Sequence, residues 1–136
     1  MPVLRPDRVR IADLLGISES DFNQKYTTPA LGSRKIRYLK LKPSPLKSEN
    51  KDCIFLDRKS TPGKASCSVH RAKPPQCSAW PFWPVSLESP EAWASAGEHC
   101  PGIGKGESTT PLHDIESFRR QVRQLEREMG SFEHGW

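Results

Sequence analysis

Apolar residues recur at helical spacing near the start of the chain. Ile11, Leu14 and Leu15 share one face of a helix over residues 6–15, with Pro6 in its first turn and Gly16 placed to end it. A second short helix follows. Ser18 stands at its cap position, Asp21 sits three residues on in a capping-box spacing, and Phe22 and Tyr26 line its apolar side at i and i+4. The pattern then shifts to period two. Ile36, Tyr38 and Lys40 alternate with Arg37, Leu39 and Leu41, predicting a half-exposed strand over 36–42 that Pro43-Ser44-Pro45 terminates. Residues 46–52 read as a polar loop. Cys53-Ile54-Phe55-Leu56 reads as a short buried strand, Asp57 to Lys64 with Pro62-Gly63 as a turn, and Cys67-Ser68-Val69-His70 as the returning strand. Such a hairpin would carry a cysteine near each open end and bring Cys53 and Cys67 together.

Proline then dominates. Pro74-Pro75, Trp80-Pro81 and Trp83-Pro84 push each preceding residue toward extended backbone, so Lys73 to Pro90 is expected to be an ordered, irregular loop. Residues 89–97 suit a short helical turn around Trp93, and Cys100-Pro101-Gly102-Ile103-Gly104 a tight turn. Ile115, Phe118, Val122, Leu125 and Met129 step 3-4-3-4, which predicts an amphipathic helix over 112–129. Packing on its own domain is its expected role.

Composition adds a constraint. With 35% hydrophobic residues, thirteen prolines and nine glycines in 136 residues, the chain is loop-rich and thin in core material, so a staple is expected. No apolar run reaches the roughly 18–20 residues of a membrane span, and the first residues hold no apolar signal core. A reducing, cytoplasmic setting follows. There, four cysteines read better as metal ligands than as a disulfide framework. The net charge of +5 is uneven: residues 1–48 carry +6, concentrated in Arg34, Lys35, Arg37, Lys40, Lys42 and Lys47. A solvated strand face accounts for this cluster. No nucleic-acid module surrounds it, so no nucleic-acid partner is expected, while a protein partner is left open.

Cys53, Cys67, Cys77 and Cys100 are the candidate metal ligands, spaced C-x13-C-x9-C-x22-C. Paired C-x2–4-C knuckles are missing, so spacing alone says little. Their neighbourhoods say more. Three of the four adjoin Pro- or Gly-containing segments, whose backbone N–H groups can donate to thiolate sulfur. His70 and His99 flank the series and could replace or orient a cysteine. His113 and His134 read as surface residues. Trp80, Phe82, Trp83 and Trp93 could stack bases or a cofactor ring, but suit better an apolar shell around a metal. Gly97 and Gly102 have the first spacing of a phosphate loop, yet Ile103 and Gly104 stand where Lys and Ser/Thr belong.

Five blocks occur in order: Cys53-Ile54-Phe55-Leu56, Cys67-Ser68-Val69-His70, Pro74-Pro75-Gln76-Cys77-Ser78-Ala79-Trp80-Pro81-Phe82-Trp83, Trp93, and Cys100-Pro101-Gly102-Ile103-Gly104. Together they resemble the YkgJ-like cysteine-cluster family, also described as a zinc- or iron-chelating CxxCxxCC domain, over roughly residues 3–106. The resemblance implies chelation of zinc or iron, or an iron–sulfur cluster, at Cys53, Cys67, Cys77 and Cys100. The family shares its cysteine pattern with bacterial flagellin lysine-N-methylases, which makes an iron–sulfur-dependent methylase-like enzyme one alternative. A metal-dependent interaction module using the basic strand is another. The chain departs from the pattern in lacking the family's cysteine-dense N-terminal segment, and in having Lys73 and Ser78 at positions usually held by arginine.

The expected architecture is therefore a small, loop-rich, metal-stapled α+β domain over residues 1–110. An amphipathic helix over 111–130 and a tail over 131–136 follow. The expected function is metal binding without an assigned reaction.

Overall fold

Local chemistry sets the first elements. In the computed structural model, which describes residues 1–46, 50–100, 102–105 and 112–129, helix α1 spans Arg5–Leu15. It ends at Gly16, whose φ of 67° lets its N–H reach the carbonyls of Ala12 and Asp13. Helix α2, Glu19–Tyr26, is capped by Ser18, whose hydroxyl oxygen accepts the Asp21 N–H at 3.0 Å. The fold is α+β, with five α-helices and small antiparallel strand pairings among the described residues. The described residues divide into two compact units, those up to residue 73 and those from 74 to 129.

In the first unit, β1 (Pro2–Val3), β2 (Thr27–Pro29) and β3 (Arg37–Leu39) form a three-stranded antiparallel sheet in the order β1-β3-β2. Val3 faces Arg37, and Thr27 faces Leu39. Strand β4 (Leu41–Pro43) pairs with β5 (Lys51–Cys53), placing Leu41 opposite Cys53. Strand β6 (Leu56–Asp57) pairs with β7 (Ser66–Cys67), placing Leu56 opposite Cys67. Val3, Ile11, Ala12, Phe22, Leu39, Phe55, Val69 and Ala72 make the core of this unit. Phe22 stacks on Phe55 with ring centroids 6.2 Å apart, and Tyr26 closes the triangle at 5.5 and 5.0 Å.

The second unit is helical. It holds α3 (Pro75–Ala79), a 3-10 turn at Val85–Leu87, α4 (Pro90–His99) and α5 (Leu112–Met129). Phe82 stacks on Trp93 of α4 at 5.8 Å and on Phe118 of α5 at 6.0 Å. Trp80 meets Trp83 edge to face at 4.9 Å, and the Trp83 indole donates to the Gln76 carbonyl at 2.7 Å. Ala79, Ala96 and Val122 are buried in this unit, the rings of Phe82, Trp83, Trp93 and Phe118 are half-buried, and Trp80 is exposed.

Several local expectations change. The strand expected over 36–42 breaks at Lys40 into β3 and β4, which belong to different sheets. Lys51 and Asp52 are ladder residues of β5, although the sequence placed them in a loop. The strand expected over 53–56 is interrupted by a turn at Ile54-Phe55, and the returning strand stops at Cys67 before a 3-10 turn at His70–Ala72. The proline-rich stretch 73–90 contains α3, since Pro75 occupies the helix's first turn, where its missing N–H costs nothing. Leu14 is 42% exposed, and Asp7 and Arg8 are buried on α1 in its place.

Candidate metal-binding thiols

All four cysteines are half-buried thiols. Cys53 and Cys67 belong to the first unit. Cys53 ends β5, the chain turns at Ile54-Phe55, and Leu56 then pairs directly with Cys67. Both thiols pack against the same core cluster. Burial pushes the Cys53 thiol above its ordinary pKa. A Phe55 N–H bonded to its sulfur opposes that rise, and the charge of nearby Cys67 adds to it. The amide that reaches the sulfur thus comes from the turn and not from a Pro- or Gly-containing segment.

The turn between the two cysteines is held through its carbonyls. The Ile54 N–H donates to Lys40 O at 3.1 Å. Phe55 O accepts both the N–H and the hydroxyl of Ser68, at 2.9 and 3.1 Å. The Lys42 ammonium donates to Ile54 O at 3.1 Å and also to Leu56 O. Arg58 forks onto Asp52 at 2.8 and 3.2 Å, holding that carboxyl below its usual range. At the end of β6, the Asp57 carboxylate accepts the Lys59 and Ser60 N–H groups and the Ser60 hydroxyl, and Gly63 turns the chain back with φ 73°.

The Asp57 turn carries a pH prediction. The Ser60 hydroxyl first, and then the two N–H groups, lower its pKa from 3.8 to about 2. A depressed carboxylate contributes stability that is fully present above the unfolded value and is lost as pH falls toward the folded one. A carboxyl NMR titration should therefore find the Asp57 midpoint near 2, with the hairpin turn loosening between pH 4 and that point. In Ser60→Ala the midpoint should move upward. A wild-type midpoint at the ordinary value contradicts this account.

Cys77 and Cys100 belong to the second unit. Cys77 lies in α3, its N–H donating to Pro74 O at 3.0 Å. Cys100 caps α4, with its N–H on Ala96 O at 3.0 Å and its carbonyl accepting the Ile103 N–H at 3.1 Å. The turn over 102–104 follows, with Gly104 at φ 70°. His70 is exposed, and its Nε2 lies 3.3 Å from Lys73 Nζ. The side chains of His99 and His113, and residue His134, lie outside the described residues. Among the described residues, no three His, Cys, Asp or Glu side chains gather in a group that could hold a metal ion.

Soft, half-buried thiols on a pinned turn, one already receiving an N–H, fit two positions of a thiolate ligand set. A closed zinc site takes four ligands. The residues that pin the turn, Lys42 and Ser68, escaped sequence reasoning. In the sequence Lys42 is one of six clustered cations, Arg34, Lys35, Arg37, Lys40, Lys42 and Lys47. In the structure three of those six cations serve backbone carbonyls. Lys42 holds the cysteine turn. Lys40 caps the C-terminal end of α2 at Gln24 O and Lys25 O, at 2.8 and 3.0 Å. Arg37 reaches Asn23 O at 3.3 Å and the Thr27 hydroxyl. Lys47 lies outside the described residues. Among the described residues, no helix is long and apolar enough to cross a membrane.

No family model matches the chain, and no solved structure matches it.

Proposed function

We propose that this chain is a cytoplasmic metal-binding protein that takes zinc or iron, the latter as an ion or an iron–sulfur cluster. Cys53, Cys67, Cys77 and Cys100 are its candidate ligands. The observation that carries this reading is the Cys53–Cys67 pair: two half-buried thiols on one hydrogen-bonded turn and hairpin, with an amide N–H on one sulfur. The ordered blocks that resemble the YkgJ-like cysteine-cluster family support it from the sequence side. Bound zinc would supply a structural cross-link and a bound cluster would supply electron transfer. The chain's own residues orient the thiols, donate an N–H to sulfur and bury both groups against the core. A thiol whose pKa burial has raised gives up its proton when it becomes a ligand, so binding weakens as pH falls.

Anaerobic purification followed by metal analysis and a visible spectrum tests the reading. The expected result in the wild type is about one equivalent of zinc or iron ion, or one cluster of two or four irons with labile sulfide. Single Cys→Ser variants at the four positions identify the ligands. Cys53→Ser and Cys67→Ser should each lose most of the metal. Colourless protein with zinc removes the iron–sulfur version, and brown protein with iron and labile sulfide removes the zinc version. A wild-type protein that binds neither metal on reconstitution, or Cys53→Ser and Cys67→Ser proteins that bind as the wild type does, overturns the proposal.

A further inference from the structure

The geometry points to Lys42 as the positioning residue for the Cys53–Cys67 thiol pair: its ammonium clamps the intervening turn by bonding the carbonyls of Ile54 and Leu56 together. The inference rests on the reading of Cys53 and Cys67 as a working pair, and it does not depend on which metal, if any, the pair takes.

Three successive carbonyls in this turn have donors. Lys42 takes Ile54 O and Leu56 O, and Ser68, next to Cys67, takes Phe55 O with both its N–H and its hydroxyl. With its carbonyls held, the peptide planes of the turn have little freedom left. The Phe55 N–H is thereby kept on the Cys53 sulfur. Lys42 stands opposite Asp52 in the β4–β5 register, so an ion pair with that carboxylate is the obvious competitor. Asp52 instead receives the two-pronged Arg58 guanidinium. Lys42 is left to reach past the ladder to the turn, and an ammonium with three donors can serve both carbonyls at once. The clamp adds no backbone bond to β4–β5, so removing it should leave the ladder in place and release the turn.

A trivalent aryl arsenical reads the spacing of two thiols without any redox step. Phenylarsine oxide condenses with two thiols, forming two As–S bonds, breaking the arsenic–oxygen bond and releasing one water that carries both thiol protons. The probe is applied to the full-length chain with Cys77→Ser and Cys100→Ser, which leaves only the pair in question. This parent should take up one arsenical and lose both thiols. Adding Lys42→Met should weaken capture by about tenfold, the cost of re-fixing roughly one residue of backbone. Lys42→Arg, which keeps the charge and the donors, should restore capture to within about threefold of the parent. Melting temperature and circular dichroism of each variant show that the fold is intact. Should Lys42→Met fail to fold, Lys42→Gln takes its place and should also bind more weakly than the parent. Capture by folded Lys42→Met or Lys42→Gln equal to the parent's overturns the role of Lys42 and leaves the thiol pair standing. Failure of the parent itself to form the two-thiol adduct removes the pair, and the clamp with it.

Discussion

Phe22→Ala is expected to destabilise the first unit by about 3–5 kcal/mol, the usual cost of deleting a buried phenyl ring. Phe22 is fully buried and touches both other rings of the aromatic triangle, stacking on Phe55 and tilting against Tyr26. Phe22 and Tyr26 come from α2, and the third ring, Phe55, from the cysteine turn. Deleting the first therefore leaves a cavity under the third. All four tryptophans lie at or beyond residue 80, so indole fluorescence reports little on this unit. Amide hydrogen exchange along α1 and α2 is the suitable measurement. Exchange through unfolding should speed up by about two to three and a half orders of magnitude, at roughly 1.4 kcal/mol per tenfold. Because Phe55 sits between Cys53 and Cys67, the variant should also loosen the thiol pair. An exchange rate within a factor of five of the wild type would show that Phe22 does not anchor this core.

Arg8→Met should cost about 2–4 kcal/mol, although it replaces a charged side chain in a core by an apolar one. Arg8 is only 5% exposed. Its guanidinium donates to Val3 O at 3.2 Å and Lys35 O at 3.0 Å, and lies 3.5 Å from Glu19. Burial lowers its pKa from the ordinary value, and Glu19 offsets part of that effect. Methionine would fill the volume but leave two carbonyls without that donor. Glu19 would keep its Arg5 partner at 3.0 Å, which limits the loss on that side. Urea denaturation followed by far-ultraviolet circular dichroism gives the measurement. A neutral or stabilising result would show that water reaches both carbonyls once the guanidinium is gone.

Arg8 also marks the limit of pattern reading. Helical periodicity put Ile11, Leu14 and Leu15 on the inward face of α1. Ile11 is buried and Leu15 packs partly against the core, but Leu14 is exposed and Arg8 is inside. An arginine can occupy an interior only when carbonyls and a carboxylate wait there. Its partners Val3, Lys35 and Glu19 come from separate segments, and no local pattern joins them. Lys42 makes the same point for the candidate site. On the chain it is one cation among six, while in the fold it spans the cysteine turn.

Elements governed by neighbouring residues were legible. Gly16 ends α1, Ser18 caps α2, Pro62-Gly63 turns the hairpin, and the 3-4-3-4 step of apolar residues marks α5 over 112–129. Those choices depend on backbone φ, on one capping hydroxyl, or on the period of a helix, and each acts within a few residues. The hairpin expected between Cys53 and Cys67 is only partly realised: Cys67 lies on β7 opposite Leu56, while Cys53 ends β5, which pairs with β4. The short strands were legible only in part, because two- and three-residue ladders have too few side chains to declare a period. Their pairing at Leu41 with Cys53, and Leu56 with Cys67, is settled by long-range backbone bonds. Tertiary structure alone decided which charges go inside and which carbonyls they hold. Hydrogen-bond partners far apart in sequence meet only after the chain has folded, and their energy depends on that meeting.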